Sequence, residues 1–250
     1  MLPRQAHVSR SSRSTRSSRS TRALAVALGG ITVVIVAGCL NPGGLPVGNG
    51  PTASPKPAGT NCPTSQPPAL GAGQTRTVTI TTPKGPIVIA VKADTAPIAT
   101  GNFVALAGCG YYDGVVFSRL VPGFVIQGGD GQYGRVGPDG KLSTSDASLV
   151  GSGGPGYTIA DDPPRKDYAR GTVAMARTSD PHSQASQFFV VLDDSAAASL
   201  TGSNQYGYAI VGTVTSGMDV VDAIAAMPNS GDPDNLAADP VPMTNVTVGP

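Results

Sequence analysis

RTVTITT (76–82) and PIVIAVK (86–92) are two runs of mostly β-branched residues, separated only by Pro83-Lys84-Gly85. Side chains branched at Cβ fit the pleat of a strand, and a short Pro/Gly gap between two such runs reads as a hairpin. Further strand-like runs follow at 115–120, 124–128, 171–176, 187–192, 208–214 and 243–248, which makes eight in all. Only two stretches carry a helical period. One follows ADTAP, with Asp94 or Thr95 as cap, Pro97 in the first turn, and Ile98, Phe103, Leu106 and Ala107 along a face. The other is GMDVVDAIAAM (217–227), with Met218, Val221, Ile224 and Ala225 along a face. Strands that succeed one another without helices between them exclude regular βαβ alternation. The pattern predicts a mainly β domain: a closed eight-stranded antiparallel barrel capped by two α-helices, because closure removes edge strands.

This domain occupies residues 75–250, and what precedes it differs in composition. Residues 1–38 contain Arg4, Arg10, Arg13, Arg16, Arg19 and Arg22, no acidic residue, and the uncharged run ALAVALGGITVVIVAG. A basic segment followed by an apolar one is the layout of an export signal. Val36-Ala37-Gly38-Cys39 resembles a bacterial lipobox, which implies cleavage before Cys39 and lipidation of that residue. Several acyl chains anchor stably, since each buried methylene is worth ~0.8 kcal/mol. An uncleaved membrane anchor and plain secretion are the alternatives, while Cys39 at the end of the apolar run argues against an organelle transit peptide. The expected location is the extracytoplasmic face of the cell membrane. Residues 39–74 are rich in Pro, Gly, Ser and Thr and are expected to form a disordered tether. Past residue 38 the chain has 17 − 6 = 11 basic against 16 acidic residues, a balance that argues against nucleic acid as a partner.

Cys39 is assigned to the lipid, which leaves Cys62 and Cys109. Outside the cytoplasm two remaining thiols suggest a disulfide that staples the end of the tether to the domain; the alternative is two free cysteines, one of them buried.

Several motifs carry no chemistry. Gly129-Asp130-Gly131-Gln132-Tyr133-Gly134 matches G-x-G-x-x-G, but a polar loop follows it where a dinucleotide site needs a helix. The two histidines are His7, in the leader, and His182, in a polar turn; no nucleophile elbow accompanies them and no zinc ligand set exists. Asp161-Asp162, ahead of Pro163-Pro164, reads as a turn rather than a calcium site.

YDGVVFSRLVPGFVIQGGD and, further on, GTVAMARTSDPHSQASQFFVVL stand out. Together with the early NFVALA, the GSGGPGY loop and the late YAIVGTV, they resemble the cyclophilin family of peptidyl-prolyl cis-trans isomerases, from about residue 76 to 249. The resemblance implies the barrel already inferred, and no cofactor and no metal. It implies that Arg119 is the catalytic arginine, supported by Gln127. Phe124, Val125, Phe189, Leu200 and Tyr208 correspond to the wall of a proline pocket. Ala176 and Arg177 correspond to the pair beside the residue preceding the substrate proline, and Gln187 to the Gln of the SQFF block. Phe117, Met175 and Phe188 are assigned to the core by strand alternation. The chain departs from the family pattern in three ways: Ser118 stands where a His is usual, Trp is absent, and the loop over about 132–150 is longer.

The chemistry fits these residue types. An X-Pro amide turns slowly because resonance imposes a barrier of ~18–20 kcal/mol. No bond is made or broken, so the task is to favour the twisted amide over both planar forms. A permanently charged donor does this over an apolar pocket that holds the proline ring. The expected partners are proline-containing segments of exported proteins, met by a monomer. A membrane-tethered proline-peptide binding module with little catalysis is the alternative.

Overall fold

The computed structural model describes residues 61–163, 167–203 and 207–250. The export signal, Cys39 and the first part of the tether lie outside the described residues. Among those described, nine strands form one antiparallel sheet in the order β8-β3-β4-β6-β5-β7-β2-β1-β9. The strands are β1 (Thr75–Thr82), β2 (Gly85–Lys92), β3 (Val116–Val121), β4 (Val125–Gly128), β5 (Thr172–Met175), β6 (Phe188–Val191), β7 (Ile210–Ser216), β8 (Leu236–Pro242) and β9 (Asn245–Gly249). Three α-helices accompany them: α1 (Pro97–Gly108), α2 (Ala196–Ser203) and α3 (Met218–Ala225).

The sheet curls, and its ends meet through backbone rather than through a ninth ladder. β8 and β9 are the two edges, joined by Met243 and Thr244. Met243 N donates to Val115 O beside β3, while Thr244 N donates to Thr81 O in β1. The expected closed barrel of eight strands is thus a curled half-barrel of nine. The extra strand, LAADPVP, hides in sequence because it alternates poorly and carries two prolines, which an edge strand tolerates. Among the described side chains of the unexpected helix α2, Ala196 and Leu200, one turn apart, are the buried ones, too little for a period to show.

Alternation builds the interior. Val78 pairs with Ile89 and Ile80 with Ile87 across β1 and β2, all fully or almost fully buried. Phe103, Tyr112, Phe117 and Phe188 interlock there with ring centroids 5.3–6.1 Å apart, as in the edge-on Phe103–Phe188 pair. Helix α1 lies on this core with Ala99, Phe103, Leu106 and Ala107 buried. Its N-terminus is capped from a distance: Ile98 N and Ala99 N donate to the carboxylate of Asp162 at 3.0 and 2.8 Å. Asp94 and Thr95, the expected caps, bond elsewhere; Asp94 accepts from Gly73 N, and Thr95 donates to Lys92 O and Ile210 O.

Composition placed the end of the tether at residue 74, but residues 61–74 lie against the domain. Cys62 and Cys109 form a disulfide. Leu70 N donates to Pro97 O, and Gln66 Oε1 accepts from Ala160 N. The contact is close: a Cβ added to Gly101 would stand 2.4 Å from Pro68 O. Polar composition misleads here because the disulfide and a few backbone bonds, rather than apolar side chains, hold the segment.

Candidate functional site

Two strands and a tight turn bring the first signature block together. Val121-Pro122-Gly123-Phe124 closes with Phe124 N donating to Val121 O at 3.0 Å, and Gly123 takes φ 73°. Pro then Gly at the two central positions is the type II pattern, in which the third residue needs a positive φ. Beyond the turn, Val121 pairs with Val125 and Arg119 with Gln127.

Strict alternation would put Phe117 and Arg119 on the same face, since they are two residues apart. A register shift between them prevents this: Phe117 pairs with Gly128 and Arg119 with Gln127, so Ser118 is an extra residue on β3. Phe117 therefore enters the core while Arg119 faces outward. The core assignment of Phe117 holds, but through this bulge and not through simple alternation. Ser118 itself is 3% exposed.

Register then lines up the remaining residues. Arg119 pairs with Gln127, Gln127 with Phe189, Phe189 with Ala174, and Ala174 with Ile210, in one row across five strands. With strands ~4.8 Å apart, Arg119 and Phe189 stand about 10 Å from each other with Gln127 between them. Their shared face carries a second apolar cluster, separate from the main core. It comprises Val125, Tyr168, Ala174, Phe189, Val191, Ala196, Leu200 and Ile210, with Val121, Phe124, Ala176, Ala197 and Tyr208 partly buried against it. All five residues expected to form a proline pocket fall in this cluster.

Tyr208 meets Phe189 edge-on, with centroids 5.2 Å apart and planes at 87°. Its backbone is clipped by Tyr168, a residue for which the sequence offered no signal. Tyr168 Oη donates to Tyr208 O at 3.2 Å and accepts from Tyr208 N at 2.7 Å. Burial, opposed by the bond to Tyr208, pushes the Tyr168 hydroxyl pKa above its usual value.

The polar residues are arranged differently from expectation. Among the described residues no hydrogen bond or ion pair holds the half-buried Arg119 guanidinium. Gln127 does not bond to it; Gln127 Nε2 donates to Gln187 Oε1 at 3.0 Å. Gln187 Nε2 in turn donates to Gly151 O and Gly153 O at 2.8 and 2.9 Å. The long loop is pinned at both ends by buried Asp130, whose carboxylate accepts from Gln132 N, Tyr133 N, Gly151 N and Gly153 N. Gly151–Gly154 then line a cleft of about 700 Å³ together with Gln127, Ala176, Arg177 and Gln187.

Asp161 and Asp162 are more than a turn. Asp162 caps α1, as described above. Asp161 accepts from Arg177 Nη1 at 2.8 Å, Gln184 Nε2 at 2.8 Å and His182 N at 2.9 Å. Burial works to raise its pKa, but the bonds from His182 N and Gln184 and the charge of Arg177 outweigh it and hold the carboxyl below its usual value of 3.8. Among the described residues no group of three His, Cys, Asp or Glu side chains could hold a metal.

Residues 77–248 match the family described as cyclophilin type peptidyl-prolyl cis-trans isomerase/CLD. Peptidyl-prolyl cis-trans isomerase A of Dickeya dadantii is 35% identical over 176 residues, which span 70% of this chain and 85% of that protein. Peptidyl-prolyl cis-trans isomerase cyp18 of Streptomyces antibioticus is 40% identical over 150 residues, 59% of this chain and 82% of that one. A solved cyclophilin-type isomerase of Cryptosporidium parvum, crystallised in the presence of the dipeptide Ala-Pro, superposes with a TM-score of 0.54 at 25% identity, covering 70% of this chain and 99% of that one.

Proposed function

The chain belongs to the cyclophilin-type peptidyl-prolyl cis-trans isomerases, and from that premise we propose that Arg119 performs the isomerisation over a pocket formed by Phe124, Val125, Phe189, Leu200 and Tyr208. The observation that carries the reading is the row Arg119–Gln127–Phe189, which sets a cation with no hydrogen bond or ion pair among the described residues on the same face as an apolar cluster.

The pocket holds the proline ring while the residue before it rotates. As the amide twists, resonance is lost and the nitrogen regains a lone pair. The guanidinium, rigid and charged throughout, donates to that nitrogen or to the proline carbonyl oxygen. It stabilises the twisted state more than either planar one, which is the condition for a rate increase. Gln127, one strand away, binds the substrate backbone and is itself oriented by Gln187. The substrates are proline-containing segments of exported proteins, and Cys39 carries a lipid that keeps the enzyme at the membrane.

Magnetisation exchange across an Ala-Pro bond in a model peptide tests the mechanism. Arg119→Ala removes a single preorganised donor and is expected to slow catalysis by about 10²–10³-fold. Wild-type binding without acceleration would make this a proline-peptide binding module, and full activity in Arg119→Ala would remove the arginine from the mechanism. Cys39→Ser is expected to release the protein from the membrane fraction; retention would overturn the lipid anchor.

A further inference from the structure

Among the described residues lining the cleft, Arg177 is the one that carries a charge; the others are Gln, Gly, Ser, Thr, Tyr and Ala. Its side chain is 0% exposed, yet the residue as a whole retains accessible surface, so what it presents to the cleft is backbone. The guanidinium turns away and is spent on structure. Nη1 donates to Asp161 Oδ1 at 2.8 Å, Nη2 to Asp180 O at 2.7 Å and Nε to Thr178 O at 3.2 Å. Asp161 is itself gripped by His182 N and Gln184 Nε2, and Asp161 N donates to His182 Nδ1 at 3.0 Å. On the other side, Ala176 N donates to Gln187 O at 2.8 Å, which ties the segment to the residue that orients Gln127.

An arginine is costly to bury and holds its place only when its donors are satisfied in a fixed fork geometry. Here that geometry ties residues 177, 178 and 180 to Asp161 from behind the cleft wall. We propose that Arg177 is a positioning residue for the isomerase site: its buried ion pair with Asp161 fixes the backbone of residues 176–178, the edge on which the peptide ahead of the substrate proline lies. The proposal rests on the reading of that site given above. It also bears on the substrate class. With Arg177 paired and every other lining residue uncharged, the cleft wall itself offers no free charge to the residues ahead of the X-Pro pair.

The test uses labelled tetrapeptides Xaa-Ala-Pro-Phe with Ala, Glu or Lys as Xaa, read as dissociation constants by anisotropy and as exchange rates at saturation. Wild type is expected to bind all three within about threefold. Asp161→Asn, which leaves every cleft-lining residue in place, is expected to weaken all three by about five- to tenfold, with the saturated rate within about twofold. Arg177→Lys keeps the charge without the fork and is expected to fall between the two. A tenfold preference for the Glu peptide that persists in Arg119→Ala would make Arg177 a recognition residue and overturn the proposal. So would an Asp161→Asn protein with a lowered melting temperature and unchanged dissociation constants. If neither Asp161→Asn nor Arg177→Lys folds, the peptide series in wild type and Arg119→Ala decides alone. Binding without acceleration in wild type would refute the isomerase reading and leave the positioning result to stand on its dissociation constants.

Discussion

Removing the Cys62–Cys109 disulfide should destabilise the domain by a calculable amount. The two residues are 47 apart in sequence, so the cross-link closes a long loop in the unfolded chain. The chain-entropy relation for a loop of that size gives about 4 kcal/mol at 25 °C. At about 2–4 °C per kcal/mol for a domain of this size, Cys62→Ser/Cys109→Ser should melt roughly 8–16 °C lower than wild type. The Leu70–Pro97 bond and the packing of Pro68 on Gly101 remain, so residues 61–74 need not leave the surface. The assay is calorimetry of the protein with and without reductant, together with thiol titration of the denatured, unreduced protein. Reductant should lower wild type to the level of the variant and leave the variant unmoved. Prolyl isomerase activity at 10 °C should stay within about threefold, because no strand of the Arg119–Gln127–Phe189 row carries either cysteine. A fall of less than about 3 °C, or two free thiols in the unreduced protein, would refute the reasoning.

Three other substitutions probe single links. Asp162→Ala removes the distant cap of α1 and should cost about 1–2 kcal/mol in chemical denaturation, in line with loss of a helix N-cap. Tyr168→Phe removes the hydroxyl that holds both backbone groups of Tyr208; it should cost about 1–3 kcal/mol of stability and raise KM more than it lowers kcat, as measured in the peptide exchange assay. The Asp161 carboxyl titrates below its usual value of 3.8 in the folded protein, so its contribution to stability is fully present above that value and is lost as pH falls through the depressed one. Asp161→Asn should therefore flatten the acid limb of a stability–pH profile below about pH 4 while lowering stability at neutral pH; an unchanged acid limb would remove Asp161 as its source.

Much of the fold was legible because strand alternation and turn chemistry are local. The hairpin of β1 and β2, the Pro-Gly turn after β3 and the apolar face of α3 each follow from a few adjacent residues. The family signature likewise sits in two contiguous blocks, so Arg119, Phe124, Gln127 and Phe189 could be named from the chain alone. β8, α2 and the docked segment 61–74 were not legible, because their stability comes from partners far away in sequence and their own composition resembles a loop.

Sequence alone determined most of the inventory: eight of the nine strands, two of the three helices, and the cation and aromatics of the candidate site. Tertiary structure decided where each one points and what holds it. The bulge at Ser118 turned Arg119 from the core face to the outer one, a choice set by how β3 pairs with β4. Pairing across five strands put Gln127 between Arg119 and Phe189 and gave its hydrogen bond to Gln187 instead of the arginine. Asp161 and Asp162 looked like one turn, yet one carboxylate closes a buried ion pair behind the cleft while the other caps a helix more than sixty residues earlier. The physical reason is the same throughout. Propensity and pattern act between neighbours along the chain, whereas hydrogen-bond and ion-pair partners are chosen by the closing of the sheet.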